Sequence, residues 1–430
     1  MTRKTSALIL ISILIIMWML VASIPSLKAN AEFPQQQWSK TYPRNPNYSV
    51  YGHPVSAQDN GCFVTQTSDG GYAIFAELDD HHYEPHSGGI DNRTSMVIKT
   101  SSSGEVQWEK GNTLITSPNS ISQTYDSGFI LSGSSQLLKL NAEGNMEWNN
   151  TFKGPIDIWG QQTYYSIGSV VQTADRGYVC AGLIPDYDSI ALLFKTDENG
   201  NLLWNKTFPA SSGWASISAL VETDDGGYAV AGYRDGAWLA ETDSGGNLKQ
   251  SQNYSELGGH FNSMAVTKDN GLILAGGTWT GGEDNQGLGL FVKLDAQRKM
   301  QWHQTYNNPP LSGGYQGRAF VSVAQTGDGG YIAVCRDALV KAYMSGSVQW
   351  TALDFDAGLG DIASVTATED GGFIVVGSLN DKVWLAKFAP ESNTSPDDSE
   401  TIPTSWIVAI LIMAVIVIGL GLVVYLIKRK

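Results

Sequence analysis

An Asp-x-Gly turn, usually followed by Tyr or Phe, recurs seven times in this chain, starting at Asp69, Asp126, Asp175, Asp225, Asp269, Asp328 and Asp370. The spacings are 57, 49, 50, 44, 59 and 42 residues. A second motif, centred on Trp, follows each of the first six turns: WEKGN at Trp108, WNNTF at Trp148, WNKTF at Trp204, QSQNY at Gln250, WHQTY at Trp302 and WTALDF at Trp350. One further copy, WSKTY at Trp38, precedes the first turn. A period of this size means one supersecondary unit repeated in tandem, since a single copy cannot bury its own apolar face.

The third unit shows what is repeated. Ser166–Thr173 (SIGSVVQT) has the β-branched content of a buried strand, and the turn Ala174-Asp175-Arg176-Gly177 leads into a second strand, Tyr178–Leu183. A third, Ile190–Thr196, is joined by Asp197-Glu198-Asn199-Gly200 to a fourth, Asn201–Phe208. Gly supplies the positive φ of such turns, and Asp bonds its own backbone two residues on. Four short strands with tight turns form one antiparallel sheet, and no unit has a helical period. Packing seven such sheets around an axis buries their faces, which an open solenoid joined by hairpins does not. The expected fold is all-β, a seven-bladed β-propeller of four-stranded antiparallel blades.

The ends of the repeat predict its closure. Unit seven has its Asp370 turn and third strand, Val383–Phe388, but no Trp strand after it. The unmatched Trp strand is Gln37–Tyr42, at the other end of the repeat. It is expected to complete the last blade. The six motif tryptophans, with Trp238 and Trp384 in the W-L-A third strands, are expected in the core between blades.

Flanking segments suggest location. Thr2-Arg3-Lys4, the apolar run Ala7–Ile24 and the small residues Ala29-Asn30-Ala31 have the order of a secretory signal, residues 1–31, with cleavage after Ala31. An uncleaved anchor is the alternative. Residues 390–404, rich in Pro, Ser, Thr and acid, read as a disordered stalk. Residues 405–427 read as a transmembrane helix and Lys428-Arg429-Lys430 as its cytoplasmic tail. The propeller, 32–389, is thus expected outside the cytoplasm, its only membrane contact through the C-terminal helix.

Charge narrows the partners. The net formal charge is −15, and residues 32–403 carry 21 basic against 42 acidic side chains. Such a surface repels phosphate backbones, so no nucleic-acid partner is expected. The three cysteines, Cys62, Cys180 and Cys335, form no framework; Cys180 and Cys335 read as small buried hydrophobes, with a single disulfide left open. Six Asn-x-Ser/Thr sequons, at Asn47, Asn92, Asn149, Asn205, Asn253 and Asn393, make glycosylation an open expectation.

Two motifs carry a family resemblance. Asp197-x-x-Gly200-x-x-x-Trp204 and Gly144-x-x-x-Trp148 resemble the tryptophan-docking repeat of quinoprotein-like propellers, and turns such as Thr67–Tyr72 and Thr173–Tyr178 resemble sialidase Asp-boxes. Over residues 38–388 the chain is similar to uncharacterised membrane-anchored β-propeller repeat proteins of archaeal and bacterial cell surfaces. The resemblance implies the fold and says little of activity. Quinoprotein enzymes usually have eight units and an adjacent cysteine pair, and sialidases have an arginine triad; neither pattern is recognisable here.

Function is expected where the repeat breaks. Within each unit the two Gly turns fall on one face, and the other face carries the long connections Pro43–Gly61, Leu78–Ser95, Lys153–Tyr164, Thr278–Leu288 and Asn307–Arg318. Variable loops on a rigid frame commonly carry binding. Candidate ligand-binding residues on that face are Trp159, Trp214, Trp279, Glu283, Asp284 and Tyr315, with Tyr164 and Tyr165 beside them, because aromatic faces stack on sugar C–H faces while carboxylates bond hydroxyls. Asp79, Asp80, His81, His82 and His86 have the side chains of a divalent-cation site, although their spacing matches no zinc motif. His53 and His260 map to loops of the same face and His303 to a strand.

No nucleophile elbow, phosphate loop or HExxH occurs, so the expectation is a binding or interaction module for surface proteins or glycans and not an enzyme. The alternatives are a polysaccharide hydrolase or lyase using Asp79, Asp80, Glu84, Glu283 or Asp284, and a scaffold with no discrete ligand.

Overall fold

The structure, a computed structural model, describes residues 33–43, 62–78, 81–82, 90–91, 94–113, 115, 117–157, 159–185, 188–211, 213–279, 287–306, 319–336, 338–353, 361–380 and 382–391. The signal segment, the membrane span and the stalk beyond Glu391 lie outside them, as do Asn47, Asn92 and Asn393. Among the described residues no helix is long and apolar enough to cross a membrane.

Blade three follows its sequence closely. Its strands are Ser166–Gln172, Tyr178–Ile184, Ile190–Thr196 and Leu202–Phe208, hydrogen-bonded in that order and antiparallel throughout. The second and third strands are almost wholly buried, because a neighbouring blade covers each of their faces. The fourth strand is mostly exposed or half-buried because it forms the outer rim.

Seven such four-stranded sheets are present. Their inner strands are Cys62–Gln66, Pro118–Gln123, Ser166–Gln172, Ala215–Glu222, Gly259–Val266, Ser322–Gln325 and Asp361–Ala367, which number blades one to seven. Each lies beside the next, and that of blade seven lies beside that of blade one. The closure is as the register of the repeat requires. Blade seven runs Asp361–Ala367, Phe373–Leu379, Lys382–Phe388 and then Gln36–Tyr42, the first strand of the chain. Closure packs blade seven against blade one, so neither end blade leaves an apolar face uncovered.

Every Asp-x-Gly turn has the same internal bonding. In blade one the Asp69 carboxylate accepts from Thr67 Oγ1 at 2.5 Å and from the Gly71 amide at 3.0 Å. It also accepts from the ammonium of Lys99, a residue of the third strand that is itself buried, at 2.8 Å. Equivalent pairs are Asp126–Lys139, Asp175–Lys195, Asp269–Lys293, Asp328–Lys341 and Asp370–Lys387. The lysine was not legible as part of the motif, because its distance from the turn varies with the connection between strands two and three.

The tryptophans divide into two sets. Trp238 and Trp384 are fully buried, as expected. The motif tryptophans belong to the outer strands, where only Trp350 is buried and the other five are half-buried. Their role is docking more than core filling. The indole of Trp148 lies over Gly200 of the next blade, where a Cβ would sit 2.8 Å from the ring. Gly200 has φ +76°, so the turn and the close approach both require glycine. The indole of Trp148 also packs edge-on against Tyr178, the aromatic that follows the next blade's turn.

The junction of blades four and five departs from this rule, and three departures compensate one another. Gln250 stands where the docking Trp would be, and Arg298, at φ +64°, stands where the next blade's glycine would be. Glu241 occupies the position of the buried lysine. Arg298 donates to Glu241 at 2.5 Å, and Gln250 donates to the other carboxylate oxygen at 2.5 Å. With no indole to accommodate, the turn can carry a long side chain, and a hydrogen-bonded ion pair fills the space. Asp225, deprived of its buried partner, pairs instead with the half-exposed Lys249 of the outer strand.

Candidate functional site

The turns between strands one and two and between strands three and four lie at one end of every blade, so the opposite end carries the longer connections. The axis opens at that long-loop end into a mouth of about 600 Å3, lined by residues of all seven blades. Its size falls within the roughly 300–1,000 Å3 of ordinary ligand pockets.

Local backbone geometry builds this mouth. The inner strands of blades two, three, four, five and seven each carry a β-bulge at the same place, displacing Asn119, Gly168, Ser218, Asn262 and Ala363 from the ladder. All five bulged residues line the mouth. A bulge re-aims one residue and is found often beside functional sites. It also pushes a carbonyl into the neighbouring strand. At Gly182, for example, a Cβ would sit 1.9 Å from the carbonyl oxygen of Ser166, and Gly232, Gly276 and Gly377 are constrained in the same way. The Ala-Gly pairs of the second strands, at Ala181-Gly182, Ala231-Gly232 and Ala275-Gly276, are the sequence signal that could have located the mouth.

The chemistry of the mouth is polar and nearly neutral. Arg336 and Asp361 are its only charged residues among those described, joined by one contact of 3.3 Å between Nη2 and Oδ2. The amides of Asn119 and Asn262 each donate to a carbonyl of the next blade, Ile167 at 2.8 Å and Phe320 at 2.9 Å. Those bonds fix the side chains and leave each amide oxygen to accept. Ser166, Ser216 and Ser218 add hydroxyls. Cys62 also lines the mouth but is 3% exposed, and burial followed by the Glu77 carboxylate pushes its thiol up to about 12, so it is no nucleophile at neutral pH. All three cysteines are free and buried, which settles the disulfide left open by the sequence.

The sequence-derived residues fall into three groups. Trp159 and Trp214 are described and exposed, at 65% and 57%. Trp159 sits at the tip of a hairpin formed by Lys153–Ile156 and Gln162–Tyr164, in what the sequence read as an irregular loop. Trp214 lies just before the inner strand of blade four and packs at a tilt against Tyr233, 6.0 Å away. Both lie in connections from an outer strand to the next inner strand, Trp159 between blades two and three and Trp214 between blades three and four. For a second group the expectation is corrected. Tyr165 is buried against Phe194 and belongs to the core, not the rim. His260 begins the inner strand Gly259–Val266 and is not a loop residue, and burial lowers its pKa.

The third group cannot be placed. Asp79, Asp80, His86, Glu84, Glu283, Asp284, Tyr315 and His53 lie outside the described residues. Trp279 ends the strand Leu272–Trp279, and His81 and His82 form a short strand paired with Ile90–Asp91, but their side chains also lie outside. Of the sequons, Asn205 and Asn253 are exposed on outer strands, whereas Asn149 is half-buried.

Sequence comparison adds no family: no protein-family model and no curated protein matches the chain. Solved structures do match in shape. The WD40 domain of Pan2 from Neurospora crassa aligns over 82% of this chain and 95% of its own, with a TM-score of 0.52 and 11% identity. They share the propeller. A protein of unknown function from Bacteroides caccae aligns over 67% of this chain and 96% of its own at 16% identity and TM-score 0.42. Sqt1 of Chaetomium thermophilum aligns over 74% and 80% at 12% identity and TM-score 0.47. At these identities the likeness concerns fold alone.

Proposed function

We propose that this protein is a membrane-tethered binding module displayed outside the cytoplasm, whose long-loop face captures surface molecules, with glycans the class that fits best. The observation that carries this reading is the mouth itself. Five bulges at equivalent positions shape one cavity, three of them turning Asn119, Ser218 and Asn262 into it, at the end of the axis where the connections vary. Exposed Trp159 and Trp214, in connections at the same end of the blades, offer faces on which sugar rings stack.

The chain enters the propeller at Phe33 and leaves it at Glu391, both at the short-turn end of blade seven, opposite the mouth. The signal and the span are read from residues 1–31 and 405–427.

A glycan array probed with the full-length chain tests the proposal. Retention of a defined set of glycans is expected, with a weaker signal for the double variant Trp159→Ala, Trp214→Ala. Retention of none, or retention indifferent both to those substitutions and to changes in the mouth, would contradict it.

A further inference from the structure

We infer that the axial mouth takes the end of a neutral carbohydrate chain, inserted along the propeller axis. This rests on the proposed glycan-binding reading and goes beyond it in naming the charge of the sugar and the part of the chain that is held.

Neutrality follows from the donors and acceptors present. A sugar hydroxyl both donates and accepts, so a site for a neutral sugar needs both kinds of partner in mixed array. The mouth provides it. Arg336 donates and the Asp361 carboxylate accepts, side by side at 3.3 Å, a spacing at which two neighbouring hydroxyls of one ring can bridge them. The amide oxygens of Asn119 and Asn262 can accept, one N–H of each amide being held by a carbonyl of the next blade. The hydroxyls of the half-buried Ser216 and Ser218 can do either. A carboxylated sugar would find one arginine already facing a carboxylate, on a chain of net charge −15. Desolvating a second anion beside Asp361 is unfavourable.

End-on insertion follows from the enclosure. Residues of all seven blades line the cavity, from Cys62 in blade one to Asp361 in blade seven, so its wall is a closed ring and not a groove. A cavity encircled by all seven blades is entered along the axis by a chain end, whereas an internal residue could enter only as a doubled-back loop. With an end inserted, the rest of the chain leaves over the rim.

The test uses the full-length protein and three sets of probes in direct binding measurements. These are linear neutral hexaoses of glucose, mannose and galactose; a cyclic glucose hexamer, which has no ends; and a linear hexagalacturonate. At least one linear neutral hexaose is expected to bind, with the cyclic hexamer and the hexagalacturonate weaker by tenfold or more. Arg336→Gln and Asp361→Asn, each at a half-exposed side chain, are expected to leave the melting temperature unchanged and to weaken that binding at least tenfold. Equal binding of the cyclic hexamer overturns end-on insertion, and stronger binding of the uronate overturns neutrality. If the hexaose binds, is lost in Trp159→Ala or Trp214→Ala, and is indifferent to Arg336→Gln and Asp361→Asn, then the rim binds glycan and the mouth does not. If no probe binds, the inference falls, while capture of proteins by the same face is then decided separately by affinity capture with the same variants.

Discussion

The indole N–H of Trp384 donates to the hydroxyl of Ser39 at 2.9 Å, across 345 positions of sequence. Its counterpart inside an uninterrupted blade is Trp238, which donates to Ser251 at 2.8 Å. The closing strand therefore reproduces the side-chain bonding of a continuous blade as well as its ladder. Removing residues 33–42 is expected to lower the melting temperature markedly, because Lys382–Phe388 loses its partner and blade seven becomes an open edge. Ser39→Ala should cost only about 1 kcal/mol and Trp384→Ala about 3–5 kcal/mol. Urea denaturation of the three variants gives the order; a truncated protein as stable as the parent would refute closure by this strand.

The buried ammonium of Lys341 sets up a second contrast. It is fully buried and held by Asp328, itself largely covered, whereas Asp225 pairs with the half-exposed Lys249. Asp328→Ala leaves the buried ammonium with Glu391 at 3.3 Å and the Gln349 amide oxygen at 3.0 Å, and is expected to destabilise the protein by about 1–3 kcal/mol. Asp225→Ala should lower the urea midpoint less, since it loses an exposed ion pair and the turn bonds from Thr223 and the Gly227 amide but deprives no buried ammonium of a partner.

Acid should unfold the ring through its turns. Burial alone would raise the carboxyls of Asp69, Asp126 and Asp269, but hydrogen bonds from their Lys and Thr partners and the Gly amide override it and hold each at about 2. Asp175, Asp328 and Asp370 are lowered by the same set of partners. A carboxyl whose folded pKa is depressed stabilises the fold above the unfolded value of about 3.9 and loses that contribution as pH falls through the folded one. Stability is thus expected to vary little between pH 7 and pH 5 on account of these groups, then to drop between about pH 4 and pH 2. Thermal melts across that range, with Asp69→Asn showing a shallower acid slope, check it; a steep loss already at pH 6 would point to other groups.

The blade four–five junction makes a coupling prediction. Gln250→Trp alone should destabilise, since the side chain of Arg298 occupies the site where the indole would dock. Gln250→Trp combined with Arg298→Gly and Glu241→Lys should recover much of the loss by restoring the arrangement of the other junctions. A non-additivity of roughly 0.5–3 kcal/mol is expected for residues in contact, read from urea midpoints of the single, double and triple variants. Strict additivity would show that the three positions are independent.

Architecture was legible because it is repeated. The Asp-Gly turns and Trp strands recur seven times, and the unmatched strand at Trp38 identified the closure. The Lys partner of each turn was hidden because Lys99 lies 30 positions from Asp69 and Lys139 only 13 from Asp126. The mouth was hidden for a different reason. Asn119, Ser218 and Asn262 are ordinary polar residues in strand sequences, and opposite Ser218 and Asn262 only a glycine marks the bulge, by the carbonyl that would strike a Cβ. Exposed Trp159 and Trp214 were found from the sequence because aromatics in a polar connection are conspicuous. Tyr165 was misassigned because it adjoins Tyr164 but points into the core, as alternation along an extended chain dictates.

Hydrogen–deuterium exchange of the full-length chain, with and without a bound linear neutral hexaose, tests most directly whether the long-loop end of the axis is the binding face. Protection is expected at the starts of the inner strands, around residues 216–218, 260–263 and 361–363, with none at the Asp-x-Gly turns near Asp69, Asp175 or Asp328. Protection confined to those turns, or to the outer strands, would contradict it.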